Sequence, residues 1–324
     1  MRKMDDTIKC DKCQKPAIIY LAYGKHNYCK EHFNEFFEKR LKKTIRTYKL
    51  IRPNEKIGIA VSGGKDSMVL LYLLNKFYKN TNVKISVIFI DEGIKRYSDK
   101  AKKVIQNFCK KNKIQFLVTS HKKEYGITTQ EIAKIYDKKI GTICTYCGVL
   151  RRKAINKLSK KEQFSKIATA HNLDDETQTI LMNLLDNDHI RLFRTGPTAG
   201  LIELNETTPR IKPFYLTPEK EIGAYALYNN IPFFSEDCPY YSEAKRNDIR
   251  EILNNLETKY PGTKFSLIRS FLKIKELINI EEITNNQKTQ TKKCKICGET
   301  TSQEICKSCL LITELRKTKK GPVV

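Results

Sequence analysis

No apolar run in the 324-residue chain reaches the roughly 18 residues that a membrane-spanning helix needs. The opening stretch MRKMDDTIKCDKC also lacks the hydrophobic segment of a signal peptide. Both absences point to a cytoplasmic protein with no membrane partner. Acidic residues are scarce: 36 Asp and Glu stand against 61 Lys and Arg, for a formal net charge of +25. Such an excess favours a polyanionic partner, because each neutralised phosphate releases counterions and steers association. A lysine-rich composition would raise the charge without any such partner, so charge alone names no nucleic acid. No internal repeat is found beyond the paired metal modules at the two ends. A Walker A loop is missing as well, since Gly58 and Gly63 have the spacing but Gly64 stands where Lys is required. Disulfides are not expected in a reducing compartment, so the eleven cysteines point to metal or redox chemistry.

What is present begins with KIGIAVSGGKDSMVLLYLL, Lys56 to Leu74. Ile57, Ile59 and Val61 make a short buried strand that stops at two glycines, and a helical spacing of apolar residues follows at once. Glycines allow a close approach of backbone to ligand, and the helix start presents unpaired N–H groups and a positive dipole end. This is an anion site. The Ser-Gly-Gly-Lys-Asp-Ser pattern, Ser62 to Ser67, resembles the pyrophosphate loop of ATP pyrophosphatases, which cut ATP between the α- and β-phosphates.

The cysteines fall into groups. Cys10, Cys13, Cys29 and His32 supply three thiolates and an imidazole, which suits a closed tetrahedral zinc site. Cys294, Cys297, Cys306 and Cys309 form a second four-ligand set, expected to be a second zinc module, with Gly298 permitting its tight turn. Cys109 lies on a helical face with Ala101, Val104, Ile105 and Phe108 and reads as core. Cys144, Cys147 and Cys238 remain. Three thiolates suit an iron–sulfur cluster with one open iron, a catalytic zinc with an open position, or a persulfide pair.

In chain order, the Cys/His site, SGGKDS, CTYCGVLRR, ATAHNLDDE, DCPY and a terminal four-cysteine site resemble the tRNA 2-thiouridine synthetases of the two-thiocytidine/two-thiouridine family. The resemblance covers most of the chain. It is nearest to the archaeal and eukaryotic cytosolic branch that acts on wobble uridine 34. The branch that acts on T-loop uridine 54 tends to place Lys four positions after the second cluster cysteine, where this chain has Arg151. The resemblance implies a [4Fe-4S] cluster on Cys144, Cys147 and Cys238, with ATP and Mg2+ as further cofactors and tRNA as partner. It implies a tRNA-uridine 2-sulfurtransferase that adenylates uridine O2, releases pyrophosphate and AMP, and receives sulfur from sulfide, a persulfide or a ubiquitin-like thiocarboxylate protein. The sequence leaves open whether a homodimer or a second thiolation subunit completes the tRNA site.

Catalytic roles then fall to Asp66, Arg151, Asp175 and the three central cysteines. ATP contacts fall to Ala60, Ser62, Gly63, Gly64, Lys65, Asp66, Ser67, Ile90, Asp91, Ala170, Asp174 and Asp175. Ordinary acid enrichment at a helix start also explains Asp174 and Asp175, and a solvated basic face also explains Arg152.

Strand-like runs at Lys56 to Val61, Lys84 to Ile90, Ile114 to Ser120 and Phe164 to Ala170 alternate with helical patterns at Ser67 to Lys79, Tyr97 to Asn112 and Tyr146 to Lys160. The expected fold is α/β, a parallel sheet flanked by helices of the adenine nucleotide alpha hydrolase-like type, with zinc modules at both ends. The domains expected are a zinc module at 1–33, a linker helix at 34–50, a catalytic domain at 51–260, a helical extension at 261–290 and a zinc module with a basic tail at 291–324. Two other readings compete. A lysidine synthetase would explain the loop but leave the central cysteines idle, and a non-catalytic zinc RNA-binding protein would leave the acidic pair unexplained.

Overall fold

The computed structural model describes residues 8–199, 208–240, 245–278 and 292–319. A small antiparallel hairpin, β1 (Ile19–Leu21) and β2 (His26–Tyr28), leads into α1 (Lys30–Thr47). That helix starts ahead of residue 34, so His32 lies in its first turn. Phe33, Phe37, Leu41 and Ile45 recur every three or four residues and are buried, as an amphipathic helix lying on a core requires. Phe37 stacks on Tyr225 with ring centroids 4.6 Å apart, so this apolar stripe serves packing.

Strands and helices then alternate: β3 (Lys56–Ala60), α2 (Lys65–Tyr78), β4 (Lys84–Asp91), α3 (Tyr97–Asn112) and β5 (Gln115–Ser120). After α4 (His121–Tyr125), α5 (Thr129–Ile135) and α6 (Ile143–Lys161) come β6 (Lys166–Ala168), α7 (Leu173–Leu185) and α8 (His189–Phe193). Two-residue strands β7 (Thr198–Ala199) and β8 (Arg210–Ile211) precede α9 (Glu219–Tyr228), α10 (Lys245–Lys259) and α11 (Thr263–Leu277). A hairpin of β9 (Lys292–Lys293) and β10 (Thr300–Thr301) and a last helix, α12 (Lys307–Lys319), follow. The central sheet has the order β5-β4-β3-β6-β8-β7, parallel except for β7 at the edge. Its middle strands are covered on both faces, which explains their unbroken apolar runs: Ile57, Ile59 and Val87 are fully buried.

The parallel sheet flanked by helices is as expected, with local differences. Helix α6 begins at Ile143 rather than Tyr146, because the Thr142 side chain caps it by accepting the Thr145 N–H. Cys144 and Cys147 therefore lie within a helix. The strand expected from Phe164 to Ala170 shortens to Lys166–Ala168. Strands β7 and β8 are too short to show any period in sequence. Residues 279–291, the end of the expected helical extension and the first residue of the expected last module, lie outside the described residues. Among the described residues no helix is long and apolar enough to cross a membrane.

One buried polar network ties the N-terminal hairpin, α1 and α9 together. Arg40 Nη1 donates to Glu221 Oε2 at 2.8 Å, Tyr23 donates its hydroxyl hydrogen to Glu221 Oε1 at 2.8 Å, and Arg40 Nη2 donates to the Tyr23 hydroxyl. The Arg40 and Glu221 side chains are only 13% and 3% exposed, so removing one partner leaves an uncompensated buried charge. Glu221→Ala is expected to destabilise the protein by about 3–5 kcal/mol, read as a lower denaturant midpoint. An unchanged midpoint would show that the pair contributes nothing.

Candidate active site

In open parallel sheets ligands bind beyond the carboxyl ends of the strands. Here that edge carries the loop after β3. Gly63 has φ +91°, and a Cβ there would stand 3.0 Å from the Ala101 Cβ, so glycine is required. Ser67 Oγ accepts the Ser62 N–H at 3.2 Å and donates to the Gly64 carbonyl at 2.9 Å, which fixes the turn. No side chain caps the start of α2, leaving its first N–H groups for an anion. Lys65 Nζ lies 2.5 Å from Glu219 Oε1 and 3.3 Å from Asp66 Oδ1. Burial pushes the Asp66 carboxyl up to about 6, with Glu219 and Asp175 adding to the rise and Lys65 opposing it. Its Oδ2 accepts from Asn172 Nδ2 at 3.3 Å, and its buried Oδ1 has the Lys65 charge nearby but no hydrogen bond.

The turn after β6 faces this loop. Asn172 and Asp175 form a reciprocal cap at the start of α7, with N–H to side-chain oxygen distances of 3.0 and 3.2 Å. Burial raises the Asp175 carboxyl, and Arg246 approaches it at 3.8 Å. Asp174 is used differently: it binds the buried Lys264 ammonium and accepts the Glu219 N–H at 2.7 Å, which ties α9 and α11 to α7. Asp91 Oδ1 accepts the Gly93 N–H at 2.8 Å, and Ile90 is buried, so both shape the strand end. Ala60 and Ala170 lie half-buried at the same edge.

A single segment joins this loop to the central cysteines. Phe234 N–H donates to the Gly63 carbonyl at 2.8 Å. Cys238 follows four residues later, and Cys144 Sγ lies 3.5 Å from the Tyr240 carbonyl oxygen. Arg151 pairs with Glu92 at 2.8 Å. Burial pushes the Cys147 thiol up to about 12, the Glu92 charge adds to this, and Arg151 opposes it. Burial, the Cys238 sulfur and Glu92 push Tyr97 up to about 12 as well. The three cysteines, Arg151, Glu92 and Tyr97 thus share one neighbourhood. Glu92, Tyr97, Glu219 and Lys264 were not legible as site residues, because their partners lie 59 to 154 positions away or act only through the folded cleft.

The cleft is cationic. Desolvation, then the charges of Lys212, Arg151, Arg246 and Arg210, push His171 down to about 3. Arg210 donates to the Arg152 carbonyl at 3.2 Å and to Asn156 Oδ1 at 2.8 Å. Burial and the nearby Arg152 and Arg151 charges lower Arg210 to about 10. Among the described residues no carboxylate pairs with Arg152 or Arg210.

Two compact donor groups lie away from the cleft, each with ligand atoms within 4.8 Å of one another. In the first, His32 Nδ1 is 3.3 Å from Cys10 Sγ and 3.4 Å from Cys29 Sγ, and Cys13 and Cys29 sulfurs are 3.7 Å apart. The second joins Cys294, Cys297, Cys306 and Cys309. The three central cysteines do not close into a group of this kind.

A glycine-rich anion loop on a parallel sheet, with acids opposite it, defines a nucleotide-cleaving ATP-binding fold. The chain belongs to the PP-loop family, whose PP-loop domain matches residues 32–257. Residues 9–34 match the N-terminal LIM domain of the 2-thiouridine synthetase TtuA. Within the family the chain is 37% identical to the tRNA-5-methyluridine(54) 2-sulfurtransferase of Pyrococcus horikoshii, covering 93% of each chain. It is 30% identical to the tRNA 2-thiolation protein NcsA of Haloferax volcanii, covering 95% of this chain and 99% of that one. A solved U34-tRNA thiolase, NcsA from Methanococcus maripaludis with its [4Fe-4S] cluster, superposes with a TM-score of 0.79 at 32% identity, covering 94% of this chain and 96% of that one. The chain is accordingly an ATP-dependent PP-loop tRNA sulfurtransferase, and the non-catalytic reading falls away.

The two zinc modules expected from sequence reduce to one. The similar thiolase carries a [4Fe-4S] cluster. The C-terminal set here offers four thiolates and no imidazole, a donor set that iron–sulfur clusters use as well as zinc. Spacing counted the ligands but did not select the metal. The C-terminal set is therefore not read as a zinc module, and the second Zn2+ leaves both the fold description and the cofactor set. The N-terminal set, with its imidazole, keeps the character of a zinc site.

Asp66 makes a pH-dependent prediction. Its carboxyl rises from 3.8 to about 6 on folding, so stability falls as pH rises through that interval and the burden is complete above it. Asp66→Asn should stabilise the ligand-free protein at pH 7.5 by up to about 3 kcal/mol, a gain that fades towards pH 4, while ATP binding is lost. Denaturant unfolding at both pH values, with calorimetric ATP titration, measures this. A pH-independent difference would remove the assignment.

Proposed function

We propose that this protein 2-thiolates the wobble uridine of tRNA in the cytoplasm, activating uridine O2 with ATP and releasing pyrophosphate and AMP. The observation that carries the reading is the segment from Phe234 to Tyr240, which binds the ATP loop at one end and meets Cys144 at the other. The loop N–H groups and Lys65 hold the departing pyrophosphate, and Arg151, released from Glu92 or shared with it, offsets charge at the α-phosphate. Asp66 and Asp175 orient the loop and the adenylating group. Cys144, Cys147 and Cys238 are the ligands we assign to the sulfur-transferring [4Fe-4S] cluster. Three thiolates fit that task where four do not, because a cluster with only three protein ligands keeps one iron open for sulfur. Arg152 and Arg210, which no carboxylate among the described residues neutralises, supply positive charge for the RNA backbone beside the target base.

Thiolation of T-loop uridine 54 is the second reading, favoured by the 37% identity to the P. horikoshii enzyme and the match to the TtuA LIM domain. Mass spectrometry of nucleosides from reacted tRNA decides between them. Thiouridine at the wobble position is expected, and thiouridine confined to the T-loop would transfer the assignment to position 54.

Two further outcomes test the chemistry. Anaerobically purified Cys144→Ala, Cys147→Ala and Cys238→Ala variants should each hold less iron and acid-labile sulfide than the wild type and lose thiolation, while retaining ATP binding. Iron and sulfide held at the wild-type level in all three would place the cluster elsewhere. Arg210→Gln should weaken tRNA binding and reduce the slope of log K against log salt by about 1, with ATP affinity unchanged. An unaltered slope would take Arg210 out of the RNA contact.

A further inference from the structure

Lys153 lies two residues beyond Arg151 on α6, and its side chain is only 13% exposed. Its Nζ is 3.2 Å from Cys297 Sγ, 3.5 Å from Cys309 Sγ and 3.8 Å from Cys306 Sγ, with a Glu299 carboxylate oxygen at 3.5 Å. On the same helix Tyr146 and Leu150 are fully buried in one apolar cluster with Leu311 and Leu315 of α12. The C-terminal module therefore grips α6 twice, by apolar packing and by one ammonium seated over three sulfurs. The helix so gripped opens with Cys144 and Cys147 and carries Arg151.

The two grips respond differently to metal. Apolar packing is indifferent to it. Four metal-bound thiolates keep a net negative charge after the metal's own charge is counted, whereas four neutral thiols offer the ammonium only weak acceptors. A buried ammonium with weak acceptors is unfavourable. Lys153 thus binds the loaded module more tightly than the empty one, in which Glu299 is its remaining charged partner, whichever metal group the thiolates hold.

We propose that Lys153 is a positioning residue through which metal loading of the C-terminal module fixes the start of α6, and with it Cys144, Cys147 and Arg151. The consequence for sulfur transfer rests on the assignment of the cluster to the central cysteines. The coupling between module and helix does not.

Lys153→Met, Lys153→Arg, Cys309→Ala and the double variant Lys153→Met with Cys309→Ala, all in the full chain purified anaerobically, test it. Hydrogen exchange over residues 143–153 should quicken about tenfold in Lys153→Met and return to the wild-type rate in Lys153→Arg. Cys309→Ala, which breaks the metal site, should give the same exchange pattern, and the double variant should add nothing further. Turnover in Lys153→Met should fall several-fold with KM for ATP and tRNA unchanged. Wild-type exchange over 143–153 in Lys153→Met, or fully additive effects in the double variant, would overturn the proposal. Should the central cysteines hold no iron, the exchange measurements still decide the coupling, so failure of the cluster assignment is distinguishable from failure of this one.

Discussion

The register of β3 between its two neighbours is the constraint on which the site depends. Ile59 aligns with Val87 of β4 on one side and Ala168 of β6 on the other. Chain leaving β3 and chain leaving β6 therefore emerge at one level, and the starts of α2 and α7 face each other across the cleft. In a sheet buried on both faces, polar alternation cannot enforce this alignment. Gly58 helps to do so. A Cβ there would lie 2.8 Å from the Ile88 and Ile167 side chains, so the close approach of both neighbours requires the missing side chain.

Charge at that edge follows a simple division. The acids are occupied by the protein: Asp174 with Lys264, Glu176 with Lys212, Glu92 with Arg151 and Glu219 with Lys65. The cations exceed them. Burial and neighbouring arginine charges hold Arg152 and Arg210 below their ordinary range, an arrangement that bound phosphate would relieve. Both substrates of a tRNA-adenylating enzyme bring phosphate. The +25 net charge is a property of the whole surface, whereas these arginines are the part of it placed beside the reacting groups.

Much of this was legible in the sequence because it is local. The strand, loop and helix around Ser62 to Ser67 are written within nineteen residues, and the apolar face expected for α3 is buried at Ala101, Ile105, Phe108 and Cys109, with Val104 half-buried. The unreadable parts are long-range. Nothing near Asp174 announces that Lys264 will take its carboxylate, so an acidic pair at a helix start looked like two equivalent ligands when only Asp175 faces the cleft with a cation at longer range. The early start of α6 depends on Thr142, a cap whose effect is too small to separate from ordinary turn preference. The identity of the C-terminal metal is not encoded in spacing at all, since four thiolates serve zinc and iron–sulfur chemistry alike.

The arrangement of the cysteines then argues for a division of labour. The sets at the two ends are closed, each with four donors gathered before any metal is considered. A closed set holds chain and leaves no position for a reactant. The middle set has three thiolates drawn from α6 and from the segment after Phe234, and it does not close. Burial beside Glu92 raises the Cys147 thiol above its ordinary range, a cost that a bound metal would relieve by displacing the proton. Under the proposed assignment, a metal centre on the three cysteines would make these sulfurs chemically useful. It also explains why the open set, rather than either closed one, lies beside the loop that takes ATP.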